Sequence, residues 1–138
     1  MQNLRIFIVE DFQPWAHAVE TILSKEPLYQ VISISSDGYA ALTEAERLKP
    51  DLMLLDVNLR KTSGIDLARA LQRINPRPLI VFVSQNASPA IVQAAFEAGA
   101  NGYILKTDAS QELIDAIRTV CEGKRYLSAS LKRSVPNW

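Results

Sequence analysis

Apolar positions along the chain fall into two kinds of run, and the two kinds alternate. Short runs rich in β-branched residues stand at 4–9 (LRIFIV), 29–34 (YQVISI), 51–55 (DLMLL), 78–83 (PLIVFV) and 102–106 (GYILK), and these predict strands. Between them apolar residues recur at helical spacing. Trp15, Val19, Ile22 and Leu23 form one stripe, and Leu113, Ile114, Ile117, Val120 and Cys121 another. Helix starts are marked by Pro14 and Pro89, by Ser88 and Asp37 as N-caps, and by Asp108 with Gln111 in the manner of a capping box. Gly99 and Gly123 stand where C-caps belong. Strands alternating with helices predict right-handed βαβ crossovers and a parallel five-stranded sheet with helices on both faces. That cover explains why the strands are continuously apolar.

Composition narrows this picture only a little. A chain of 138 residues, 48% hydrophobic and 22% charged, suits one ordinary globular domain. Lys plus Arg equals Asp plus Glu at 15 each, which gives no electrostatic footprint for nucleic acid or an anionic membrane. No apolar run approaches the roughly 20 residues that span a bilayer, and no signal peptide is expected. The lone Cys121 cannot form an internal disulfide, reads as a small apolar filler, and fits a cytoplasmic protein. Residues 1–122 read as one domain. Residues 123–138 read as a solvated tail with one short helix capped by Ser128 and a mobile Trp138.

The chemistry is concentrated at the strand ends. In a parallel sheet the C-terminal strand ends share an edge, and ligands bind beyond it. The runs deliver Glu10 and Asp11, then Asp56, Ser84 and Lys106 to that edge; Ser35, Ser36 and Asp37 also arrive there without a role. Any one of these is an ordinary cap or loop residue. Together they bring carboxylates, a hydroxyl and an ammonium to one place. Two unit charges about 4 Å apart interact by roughly 4 kcal/mol at an effective dielectric near 20. Three close carboxylates then cost on the order of 10 kcal/mol, comparable to the whole stability of a domain. A cation has to offset that. Lys106 supplies part of the charge, and the all-oxygen donor set favours Mg²⁺ or Mn²⁺ over Zn²⁺. A carboxylate among a metal, an ammonium and a hydroxyl suits phosphoryl transfer through an aspartyl phosphate.

With these residues in view, the chain resembles the receiver domain of two-component response regulators over about residues 3–122. The matching motifs are IVED, LLDVNLRKTSG with its glycine eight residues after the aspartate, VFVSQN and AGANGYILK. The resemblance implies a flavodoxin-like (βα)5 fold with strand order 2-1-3-4-5. It implies that Asp56 accepts a phosphoryl group from a sensor histidine kinase or phosphotransfer protein. Asp11, Asp56 and the backbone carbonyl of Asn58 would ligate Mg²⁺, with Glu10 acting through a water. Lys106 would pair with the phosphoryl group, and Ser84 and Tyr103 would form the switch. Such a protein is a signalling switch controlling an output partner rather than a turnover enzyme, and it allows a homodimer.

The chain departs from the usual pattern in several places. Glu10 replaces Asp, Ser84 replaces Thr, Arg60 stands where proline is frequent, and Gln85 stands where a small residue is usual. Asn58 and Asn86 occupy positions that tune hydrolysis in this family. Thr107 follows Lys106 in place of a proline, so no cis-proline is expected there. The wording from Gly102 onward is similar to regulators that continue into a helix-turn-helix domain. A stand-alone receiver is favoured over a piece of such a regulator, with no direct nucleic-acid contact by these residues. The alternative function is a phosphorylation-incompetent pseudo-receiver acting as an interaction module. An aspartate-nucleophile phosphohydrolase is disfavoured because Glu10 and Asp11 are adjacent, and a nucleotide or flavin module because EDFQPW has no glycine. The only histidine, His17, is not expected to do chemistry.

Overall fold

The computed structural model describes residues 3–135 and 138. Strands β1 (Leu4–Val9), β2 (Tyr29–Ser35), β3 (Leu52–Leu55), β4 (Leu79–Ser84) and β5 (Gly102–Leu105) alternate with helices α1 (Gln13–Leu23), α2 (Gly38–Leu48), α3 (Gly64–Leu71), α4 (Pro89–Glu97) and α5 (Ala109–Cys121). All strand pairs are parallel. The order is 2-1-3-4-5, as the resemblance implied, but a sixth strand, β6 (Tyr126–Leu127), lies outside β5.

Successive side chains of each strand point to opposite faces, so the sheet carries two cores. Phe7, Val9, Met53, Leu55, Ile80, Phe82 and Tyr103 pack toward α2, α3 and α4. Ile6, Ile8, Leu52, Leu54, Val81, Val83 and Ile104 pack toward α1 and α5. β3 is buried at every position because it lies mid-sheet under both layers. Val9, Leu55, Phe82, Tyr103 and Leu127 are register neighbours and form one buried row across the sheet.

Caps follow the sequence in part. Asp37 accepts the N–H groups of Tyr39 and Ala40, and Gly99 and Gly123 have φ of 112° and 86°. Ser88 and Asp108 occupy N-cap positions without bonding the helix through their side chains. Ser88 is positioned by its N–H bond to Asn86 Oδ1, and the Asp108 carboxylate accepts Ser130 Oγ instead. The bond before Thr107 carries no proline, and among the described residues the cis X-Pro peptide is Asn75–Pro76.

The tail corrects the sequence reading. Its helix is a single 3-10 turn, Ala129–Leu131, with Ser128 at the N-cap position but without a side-chain bond to the turn. Ser128 is fully buried and its Oγ accepts the Leu105 N–H at 2.9 Å. Leu127, Leu131 and Val135 join the core beside Tyr103. Trp138 is not a loose end: its ring lies 5.0 Å from that of Phe96, with the Arg125 guanidinium 4.6 Å from the indole centroid. Cation–π and apolar packing offset the entropy of ordering these residues. Cys121 is exposed on the last turn of α5 rather than filling the core, because the stripe turns past it after Val120.

Leu54→Ala removes a side chain only 2% exposed at the centre of the sheet. Urea unfolding is expected to show a loss of about 2–5 kcal/mol with an unchanged m-value.

Candidate functional site

Each strand end is fixed by backbone pairing before its side chain is aimed. Glu10 N–H bonds Ser35 C=O at 2.9 Å and Asp56 N–H bonds Val9 C=O at 3.2 Å, so β1 and β3 end side by side. α3 holds Asp56 from behind: Gly64 N–H donates to Val57 C=O at 2.7 Å, and a Cβ on Gly64 would collide with the carbonyl oxygen of Asp56. This close approach explains the glycine eight residues after the aspartate.

The sheet edge holds a three-member ion cluster. Lys106 Nζ lies 2.8 Å from Glu10 Oε1 and donates to Asp56 Oδ2 at 2.9 Å. Glu10 and Asp56 are 3% and 7% exposed, so their charges have little water. Glu10 Oε2 accepts the Phe12 N–H at 3.1 Å, and Asp56 Oδ1 the Asn58 N–H at 3.3 Å. Burial pushes the Glu10 carboxyl above the usual range, with the Lys106 bond acting against it. Burial alone would lower Lys106, but its bonds to Glu10 and Asp56 reverse that, and its ammonium is held above the ordinary lysine value. The ring of Trp15 lies 5.4 Å from Lys106 Nζ and adds a cation–π contact.

The remaining expected residues sit around this cluster. Asp11 is half-buried, with Oδ2 4.0 Å from Arg60 Nε. Ser84 is fully buried, and its Oγ accepts the Asn86 N–H at 3.1 Å. Tyr103 is turned inward with no exposed surface, and its hydroxyl donates to Asn86 C=O at 2.6 Å. Burial pushes the Tyr103 phenol up to about 12. Glu10, Asp11, Phe12, Asp56, Asn58, Gln85 and Lys106 line an open cavity of ≈ 410 Å³. Gln85 is on its wall, as its bulk suggested. Ser84 is absent from that lining and bonds into the Asn86–Tyr103 network behind it.

A hard divalent cation fits this donor set. Asp11, Asp56 and Asn58 supply oxygen donors at the cavity, and among the described residues Asp11 is engaged only by a long ion pair to the exposed Arg60. Among the described residues no three acidic, His or Cys side chains already form a closed cage. Mg²⁺ does not demand one, since it keeps several waters and binds through one or two carboxylates.

Sequence reasoning missed three contributors. Trp15 reads as a core residue of α1 but also faces the ammonium. Arg60 was visible only as an extra charge, and it lies against Asp11. Asp37 had no assigned role; besides capping α2, it accepts Lys61 Nζ at 3.0 Å, tying the loop after β3 to the loop after β2. That bond holds the Asp37 carboxyl below its usual value. His17 is exposed and pairs only with Glu20.

A family model for the response regulator receiver domain matches residues 6–118. The chain is 31% identical over 125 residues to the transcriptional regulatory protein DegU of Brevibacillus brevis, covering 91% of this chain and 53% of DegU. It is 32% identical over 124 residues to the nitrate/nitrite response regulator protein NarP of Escherichia coli (strain K12), covering 90% of this chain and 58% of NarP. The chain thus spans little more than half the length of these relatives. A two-component response regulator of the LuxR family from Aurantimonas sp. SI85-9A1 superposes with a TM-score of 0.92 at 25% identity, covering 97% of this chain and 96% of that one. The isolated REC domain of RcsB from Salmonella enterica serovar Typhimurium, solved with the phosphomimetic BeF3⁻, gives 0.89 at 22% identity, covering 97% and 99%; at that identity the likeness concerns the fold.

Two outcomes follow from the ion cluster. Lys106→Met leaves Glu10 and Asp56 buried and unpaired, and is expected to cost roughly 3 kcal/mol at pH 7. The loss should shrink on acidification as Glu10, whose carboxyl is held above the usual range by burial, protonates, read by urea unfolding across pH. On the alkaline side the raised Lys106 and Tyr103 values both favour the protonated, folded state. The Tyr103 contribution is complete below about pH 10 and is lost as pH climbs toward about 12. Tyr103→Phe should flatten that alkaline loss by on the order of 2 kcal/mol.

Proposed function

The chain belongs to the response regulator receiver domain family, and we propose that Asp56 is its phosphoacceptor and that phosphorylation there drives a conformational switch in two-component signalling. The observation that carries this reading is a buried carboxylate at the end of the central strand, held by one ammonium and facing an open polar cavity.

The reaction is a displacement at phosphorus. An Asp56 carboxylate oxygen forms the new P–O bond as the P–N bond of a phosphohistidine breaks, and the imidazole leaves with that bond's electron pair. Water later attacks the phosphorus, the acyl phosphate P–O bond breaks, and Asp56 is restored. Asp11, Asp56 and the Asn58 carbonyl, with Glu10 acting through a water, would hold Mg²⁺ or Mn²⁺, which when bound would supply positive charge against the phosphoryl oxygens. Lys106 shifts its hydrogen bond from the free carboxylate to a phosphoryl oxygen. Ser84 then turns its hydroxyl toward the phosphoryl group, and the Asn86–Tyr103 network behind it responds.

The donor is a sensor histidine kinase or phosphotransfer protein in the cytoplasm. The output is a partner, or a second copy of the chain, that binds one of the two conformations better. The protein phosphorylates and dephosphorylates itself and turns over no separate substrate. A role without chemistry, the pseudo-receiver, predicts the same fold with no adduct.

Incubation with Mg²⁺ and a small phosphodonor is expected to give one phosphoryl adduct by intact mass in the wild type and none in Asp56→Asn. Mg²⁺ should also change Trp15 fluorescence in a Trp138→Phe background, because the indole lies beside Lys106. Equal labelling of wild type and Asp56→Asn, or no labelling of either, removes Asp56 from the role of phosphoacceptor.

A further inference from the structure

Arg60 stands beside Asp11, one of the residues that would hold a divalent cation. Its Nε lies 4.0 Å from Asp11 Oδ2, with the Arg60 side chain 73% exposed and that of Asp11 27%. A pair so exposed contributes little to stability. Its placement is nevertheless built into the fold. The loop after β3 is closed on itself by an antiparallel bridge between Asn58 and Ser63, and Arg60 pairs with Asp37 through a parallel bridge. Lys61 Nζ donates to Asp37 Oδ2 at 3.0 Å, and its backbone holds a φ of 73°, in the left-handed region that a residue with a Cβ rarely adopts. Thr62 packs so closely on Gly38 that a Cβ there would collide with it. The loop is anchored on both sides of Arg60, so the guanidinium is carried to Asp11.

The charges at this edge give the pairing a consequence. With every group ionised, Glu10, Asp11 and Asp56 supply three negative charges, and Lys106 and Arg60 two positive ones. Lys106 is committed to Glu10 and Asp56, and among the described residues Asp11 is left to Arg60. These five side chains are one positive charge short of neutral. A divalent cation turns that deficit into an excess of one. Of the two side-chain cations, the exposed Arg60 is held less firmly than the enclosed Lys106, so it is the one that yields.

We propose that Arg60 is a built-in competitor for the divalent cation at Asp11, and that it sets the cation concentration at which the site fills. The proposal rests on the metal site assigned to Asp11, Asp56 and the Asn58 carbonyl. Arg60 neutralises Asp11 when no metal is bound and gives up that pairing as the metal enters. By linkage, whatever strengthens the Arg60–Asp11 pair weakens metal binding by the same factor.

The test uses the full chain and Mn²⁺ alone, with free Mn²⁺ followed by electron paramagnetic resonance and no phosphodonor present. Arg60→Gln is expected to bind Mn²⁺ about two- to fivefold more tightly than the wild type, the range that an exposed ion pair allows. The gain should shrink toward none as KCl is raised to about 1 M, where the screening length falls to about 3 Å. Arg60→Lys keeps the charge and should stay near the wild type. Lys61→Gln, which loosens the loop without removing the charge at Asp11, should gain less than Arg60→Gln. Asp11→Asn should lose most of the binding, which identifies the ion as the one at this site. Equal affinity of wild type and Arg60→Gln, weaker binding by Arg60→Gln, or an equal gain in Lys61→Gln overturns the competition and leaves the metal site standing. Binding by neither wild type nor Arg60→Gln, or binding undiminished in Asp11→Asn, overturns the metal site and the competition with it.

Discussion

One ammonium holds two buried carboxylates together at the edge of the sheet, and the site is arranged around that fact. Lys106 stands 2.8 Å from Glu10 and 2.9 Å from Asp56, where water is too scarce to screen them. Removing charges from water costs several kcal/mol per ion, and only good geometry offsets it. The geometry comes from strand order and register: β1 and β3 end in step and deliver Glu10 and Asp56 side by side, while β5, with β4 between it and β3, runs on past that level before it delivers Lys106, whose long side chain reaches back to both. A sheet with its strands in another order would leave the same residues as isolated, unpaired charges.

The same sheet edge carries a second polar feature. Behind the ion cluster lies a short polar chain, Ser84 to Asn86 to Tyr103, and its last member is a large ring in a closely packed row. Packed interiors do not deform continuously; a ring that size is either in the row or out of it.

Much of this was legible in the sequence. The five strands appear within a residue or two of their predicted limits, because a strand covered on both faces must be apolar throughout and cannot be mistaken for a half-exposed one. The acidic pair, Asp56 and Lys106 were legible because a charge directly after such a run has nowhere to go but the sheet edge. The tail was not legible. Tyr126–Leu127 is too short for periodicity to register, and Ser128 binds the backbone of Leu105 rather than its own turn. Trp15 and Arg60 were visible as residues but not as neighbours of Lys106 and Asp11, since those contacts cross between elements far apart in the chain. The sequence reading asked for positive charge against the carboxylates and named Lys106 for part of it, and Lys106 stands between Glu10 and Asp56.

The loop after β3 is fastened differently from the cluster beneath it. Arg60 reaches Asp11 at 4.0 Å and Lys61 reaches Asp37 at 3.0 Å, and both cations are largely exposed. Exposed pairs are weakened by dissolved ions, whose screening length is about 8 Å at physiological strength, whereas the enclosed Lys106 pairs are shielded from them. The site therefore has an interior indifferent to the surrounding electrolyte and a rim that responds to it. Salt thus weakens the fastening of the loop after β3 while leaving the enclosed charges beneath it as they are.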